Sequence, residues 1–136
     1  HSLPFTAPLD KYYVSSSYGK RKDPIRRRLA MHNGIDLVGP FRADIKSSSP
    51  GVVSYAKRNG AYGLFIEIDH GSGVTTRYGH LHKLFVKKGE KVTRGQVIAK
   101  QGSTGRSTGN HLHYEVRYNK KPYNPRNFLK AGEYVF

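Results

Sequence analysis

The chain has 136 residues, enough for one domain with a real core and too few for two. Its 24 Lys+Arg against 9 Asp+Glu give a net charge of +15, a field that attracts nucleic acid, anionic lipid or another anionic polymer and says nothing about fold. The absence of cysteine excludes a disulfide framework and a thiolate zinc site, so any metal must be held by histidine and carboxylate.

No apolar run approaches the ~18 residues of a membrane span, and no signal peptide opens the sequence. Residue 1 is His rather than Met, so the expectation is a processed form or an excised piece of a longer chain, from which a targeting segment could have been lost.

Residues 1–13 read as a loose lead-in, because Pro4 and Pro8 limit regular structure. Residues 14–18 form a Ser-rich strand closed by Gly19. Residues 20–28 carry six basic side chains around Asp23-Pro24 and read as a solvated loop, with a second reading as a rim for an anionic substrate. In residues 31–38, Asn33-Gly34 argues against a helix and for an irregular start to a strand. His32 and Asp36 then fall on the same side of an extended segment anchored by Ile35, Leu37 and Val38.

Residues 50–57 read as a strand after a turn. Residues 62–70 alternate, with Leu64, Ile66 and Ile68 on one face and Phe65, Glu67 and Asp69 opposite. Gly71-Ser72-Gly73 turns the chain into residues 74–81, where Val74, Thr76, Tyr78 and His80 align, predicting an antiparallel hairpin. His70, at the turn, is expected to be exposed. Gly79 clears space beside His80, which on its own reads as a satisfied rim histidine, and His82 reads as a bystander or as a group supporting the site from behind. Residues 89–92 and 95–99 resemble the turn-and-strand pattern of lipoyl-like domains but supply no acceptor lysine at a hairpin tip, which argues against a carrier role. Residues 102–109 lack the Gly-Lys-Ser/Thr ending of a phosphate loop and lead into a strand, so they read as a pliable loop.

That loop delivers the most informative stretch, Gly109-Asn110-His111-Leu112-His113-Tyr114-Glu115-Val116-Arg117-Tyr118. His111, His113, Glu115 and Arg117 share one face, and Leu112, Tyr114, Val116 and Tyr118 share the apolar other. Residues 122–129, with Pro122 and Pro125, are expected to wrap the sheet edge. Helical periodicity is almost absent, so the predicted class is all-β with short strands.

Two imidazoles on one strand face are costly to bury without a partner, and each offers a nitrogen lone pair. His32, Asp36 and one of the paired histidines make an N, O, N set that zinc takes tetrahedrally, leaving a fourth position for water. The other histidine of the pair and His80 suit the accompanying acid–base tasks.

His32-Asn33-Gly34-Ile35-Asp36, Tyr78-Gly79-His80-Leu81 and the run from Gly105 through Glu115 resemble the three signatures of the lysostaphin-like (LytM-type) zinc endopeptidases. The resemblance runs from about Val14 to Leu129. It implies a small antiparallel β-domain over residues 14–136 with an open groove and one zinc ion. It also implies His32, Asp36 and His113 as ligands, and His80 and His111 as the catalytic histidines. Asn33, Tyr78, Arg106 and Thr108 are expected along the groove. The implied substrate is peptidoglycan, an anionic wall polymer met in the periplasm or outside the cell. Likeness to Gram-negative members from Gly105 through Asn124-Pro125, including His111–Arg117, implies the D-alanyl to meso-diaminopimelate cross-link. After Asp36 the usual small-residue turn is replaced by Pro40-Phe41-Arg42-Ala43-Asp44-Ile45, so that loop should differ in shape. Two other readings share parts of the sequence. A non-catalytic wall-binding or amidase-activator module would have the same fold and charge. A nucleic-acid binder would use the basic surface with Tyr and Phe as stacking platforms, yet it leaves the histidines unexplained and is not expected.

Overall fold

The structure, a computed structural model, describes residues 5–23, 28–105 and 109–128. In chain order its strands are β1 (Tyr13–Ser16), β2 (Gly19–Asp23), β3 (Arg28–His32), β4 (Ile35–Val38), β5 (Asp44–Lys46) and β6 (Gly51–Arg58), then β7 (Leu64–Asp69), β8 (Val74–Leu84), β9 (Lys91–Val92), β10 (Val97–Gln101), β11 (Leu112–Tyr118) and β12 (Lys121–Tyr123). The main path of the ten-stranded sheet is β1-β4-β11-β8-β7-β6-β9, with β12 on β11 and β10 pairing both β8 and β5. All its pairings are antiparallel. The all-β expectation therefore holds.

Alternation explains which face is buried. Leu112, Tyr114 and Val116 of β11 are fully buried, as are Leu37, Ile66, Ile68, Leu81 and Ile98 from neighbouring strands. Each such aliphatic side chain withdrawn from water contributes roughly 1.5–3 kcal/mol before entropy is counted. Two tyrosines lie in this core because their hydroxyls are satisfied. Tyr114 shares a 2.6 Å hydrogen bond with Ser48 Oγ. Tyr78 bonds Thr76 Oγ1 at 2.7 Å and accepts from the Ser48 backbone N–H.

Four expectations change. The lead-in is packed rather than loose. Phe5 and Leu9 are buried, Thr6 N–H donates to Ser48 O, and Lys46 N–H donates to Pro8 O. The basic stretch is not a loop throughout, since β2 and β3 pair from Gly19↔His32 to Asp23↔Arg28 as a separate two-stranded sheet. Backbone pairing there proceeds whatever the charge of the side chains.

Phe65, assigned to the polar face of its strand, is 1% exposed. It is covered by Tyr62 at 4.6 Å and Tyr55 at 5.4 Å between ring centroids. His70 is half-buried and tied down rather than exposed. Its Nδ1 donates to Pro50 O at 2.7 Å, and its Nε2 meets Thr76 Oγ1 at 2.8 Å. Burial holds its pKa below the usual histidine value.

Candidate metal centre

Strand register brings distant residues together. In the β4–β11 pair Asp36 stands directly opposite His113, and in the β11–β8 pair His113 stands opposite Gly79. Opposed residues of antiparallel strands hold their Cβ atoms about 4.5–5.5 Å apart, so Asp36 and His113 must meet on the face away from the core. His32 ends β3, and the Asn33-Gly34 turn swings it back over Asp36. Glycine is required there by close approach. A Cβ on Gly34 would overlap the carbonyl oxygen of Tyr114 and fall 2.8 Å from Glu115 Cγ.

The result is a compact donor set. His113 Nδ1 lies 3.0 Å and His32 Nε2 3.3 Å from Asp36 Oδ1. The three donor atoms all lie within 4.8 Å of one another. Ligand atoms about 2.0–2.1 Å from a tetrahedral ion sit roughly 3.3 Å apart, so the spacing fits a metal ion.

The far side of each ring fixes its lone pair. His32 Nδ1 is 2.8 Å from Ser17 O, a pure acceptor, so Nδ1 carries the proton and Nε2 points its lone pair inward. His113 Nε2 is 2.7 Å from Glu115 Oε2, which leaves Nδ1 for the ion. Burial acts to lower the pKa of His113, but its hydrogen bonds to Asp36 and Glu115 outweigh that and raise it to about 9. For Asp36 burial acts upward and is outweighed by the His113 and His32 hydrogen bonds, leaving the carboxyl well below the usual range.

His80 and His111 flank this set with ring centroids 4.8 Å apart. His80 Nδ1 donates to Thr104 O at 2.7 Å, leaving Nε2 as the acceptor nitrogen. Thr104 is itself pinned, because its hydroxyl donates to Leu81 O at 2.6 Å and accepts from Leu64 N–H at 3.0 Å. Burial is the main cause that lowers the His80 pKa, and the neighbouring His111 and His113 act in the same direction. His111 Nδ1 donates to Gly109 O at 3.0 Å, and its Nε2 is 3.8 Å from Asp36 Oδ1.

The five predicted histidine and aspartate positions therefore gather at one place. The groove assignments fare differently. Asn33 is half-buried at the turn beside His32. Tyr78 is fully buried beneath the sheet and cannot line a groove, because its even spacing from Thr76 turns it to the core. Arg106 and Thr108 lie outside the described residues. His82 is exposed, in keeping with a bystander.

Sequence reasoning assigned no role to the groups behind His113. Glu115 is 1% exposed, yet burial, which raises its pKa, is outweighed by His113, Tyr62 and Arg117, which lower it to about 2. The signal available in the sequence was its place on the His111–His113 face. Nothing local marked Tyr62 or Arg77.

The profile of Peptidase family M23 matches residues 30–125. Over 119 residues the chain is 43% identical to the peptidoglycan DD-endopeptidase ShyA of Vibrio cholerae, covering 86% of this chain and 28% of that protein. Over 118 residues it is 43% identical to the DD-carboxypeptidase/endopeptidase Mpg of Neisseria meningitidis serogroup B, covering 87% of this chain and 27% of that one. The chain thus spans under a third of the length of these relatives. Among solved structures, a zinc containing peptidase from Vibrio cholerae aligns with TM-score 0.85 and 41% identity, covering 90% of this chain and 39% of that chain. The catalytic domain of lysostaphin from Staphylococcus simulans aligns with TM-score 0.78 and 32% identity, covering 88% and 93%.

Proposed function

The chain belongs to peptidase family M23, and from that premise we propose that it is a zinc-dependent peptidoglycan endopeptidase working outside the cytoplasmic membrane. We further infer that the bond cut is the D-alanyl to meso-diaminopimelate cross-link. The DD-endopeptidase names of its relatives support this. The observation that carries the reading is the His32–Asp36–His113 donor set with a pair of non-ligand histidines beside it.

His32 Nε2, Asp36 Oδ1 and His113 Nδ1 would hold zinc, which would supply Lewis acidity toward the scissile carbonyl and bring the pKa of a water to roughly 7. The remaining work belongs to the protein. His80 stays neutral because burial disfavours its charged form, and with Nδ1 committed to Thr104 O its Nε2 accepts the proton of the attacking water. His111, whose Nδ1–H is fixed on Gly109 O, donates from Nε2 in its imidazolium form to the negative charge developing on the carbonyl oxygen. As the C–O bond forms and the C–N bond breaks, the proton taken from water goes to the leaving amine. The positive charge of the chain favours encounter with the carboxylate-bearing polymer.

Digestion of purified cross-linked muropeptides, read by mass spectrometry, tests this. One new amine per cut cross-link is expected, abolished by a chelator and restored by zinc. Intact cross-links after digestion with the zinc-loaded protein would favour a non-catalytic wall-binding module.

A further inference from the structure

Glu115 is a buried carboxylate on which three donors converge. Its Oε2 accepts from His113 Nε2 at 2.7 Å and from the Tyr62 hydroxyl at 2.8 Å, while Oε1 accepts from Arg117 Nε at 2.8 Å. Leaving such a carboxylate ionised in a dry place is costly unless it is fully paired, and here it is. Tyr62 does not come from the same strand. It closes the single-turn 3-10 helix Gly60–Tyr62 between β6 and β7. Its ring lies 5.7 Å from the His113 ring, and a Cβ on Gly79 would come within 3.2 Å of its Cδ1. Arg77, anchored on Glu67 at 2.9 Å, donates to the Tyr62 hydroxyl at 3.3 Å. The hydroxyl therefore has a donor behind it and spends its own proton on Glu115.

We propose that Glu115 and Tyr62 are positioning residues that set metal affinity by orienting His113. This rests on reading His32, Asp36 and His113 as a metal site. A His113 ring turned over would place a carbon against Glu115 Oε2 and lose the 2.7 Å bond. The Glu115 charge also makes the Nδ1 lone pair a stronger donor, as carboxylates behind metal-binding imidazoles do. Tyr62 keeps the carboxylate from swinging away and places the ring under lateral contact.

Zinc affinity is measured on metal-stripped protein by competition with a chromophoric chelator, with no peptidoglycan present. Glu115→Gln keeps shape and an acceptor oxygen but removes the charge, and should weaken zinc binding about 10–100-fold. Tyr62→Phe should weaken it in the same direction by a smaller factor. It should also speed solvent exchange of the His113 Nε2–H proton in the zinc-loaded protein, seen by NMR. A merely space-filling role predicts wild-type affinity for both variants, and values within twofold of wild type would overturn the proposal. Should Glu115→Gln fail to fold, Tyr62→Phe decides alone. Weakened zinc binding alongside an inactive wild type would sink the proposed substrate and leave this inference standing. Unchanged affinity alongside an active wild type would do the reverse.

Discussion

Tyr78 and His80 stand two residues apart on β8 and face opposite ways. The Tyr78 ring is fully buried in the core, whereas His80 reaches Thr104 O on the other side of the sheet. Simple alternation would put both on one face. The exception is local: His80 has φ +60, and the register with β7 slips between Leu64↔Leu81 and Ile66↔Tyr78. A bulge of this kind re-aims a side chain, at the cost of a left-handed backbone that L residues disfavour.

That cost can be measured. His80→Gly should be more stable than His80→Ala by about 1 kcal/mol, because glycine tolerates the left-handed region. Both should lose turnover by about 10²–10⁴-fold, the usual scale for an acid–base group. Thermal unfolding of the pair together with single-turnover kinetics checks both halves; equal stability of the two variants would remove the strain argument.

His111, just before β11, and His113, within it, should separate by role. His113→Ala removes a ligand and is expected to abolish metal retention after gel filtration. His111→Ala is expected to retain one metal ion and lose turnover by about 10²–10⁴-fold. Elemental analysis alongside hydrolysis assays distinguishes them, and metal-free His111→Ala protein would contradict the assignment.

Gly34→Ala introduces a methyl group into the Tyr114 carbonyl. Backbone shifts that relieve such overpacking cost about 1–3 kcal/mol. Since the shifted segment carries His32 and Asp36, zinc affinity should fall together with the denaturant midpoint. A destabilised variant that kept full affinity would show that the turn and the ligands are not coupled.

Metal uptake should depend on pH through His113. In the metal-free protein its pKa is raised to about 9, so the ring is charged at neutral pH and must lose a proton before Nδ1 can ligate. Zinc binding at pH 7.5 should therefore release about one proton, measurable by calorimetry in buffers of different ionisation enthalpy. The same shift makes the metal-free fold more stable below the unfolded histidine value of about 6.5, with that contribution lost as pH rises through about 9. Asp36 works in the opposite sense: its depressed pKa stabilises the fold above the ordinary carboxylate value, and this is lost only in strong acid. Metal-free stability that climbed from pH 6.5 to 9 would contradict the His113 shift.

The β11 strand was legible because its two faces differ in chemistry: Leu112, Tyr114 and Val116 enter the apolar core, while His113 and Glu115 lie on the opposite face with the donor set. His32 and Asp36 were legible as a pair because they flank a turn dipeptide. The misread positions share a cause. Tyr78 and His80 were placed together because nothing in Tyr78-Gly79-His80 announces a bulge. The packing of the lead-in was missed because its partners are far away in sequence: the Phe5 ring meets those of His70 and Phe128, and Thr6 N–H donates to Ser48 O. The β2–β3 hairpin was hidden under six charges that describe side chains and not the backbone pairing beneath them.

Local pattern by itself determined the strand character of most segments, the apolar face of β11 and the inventory of nitrogen and oxygen donors, since alternation and side-chain chemistry are properties of neighbouring residues. Only the tertiary structure decided that Asp36 faces His113, 77 positions away in sequence, across adjacent strands, that His80 turns outward, and that Tyr62 reaches Glu115. Such contacts depend on register and bulges, which are settled by the packing of the whole sheet, and no short window of sequence contains that information.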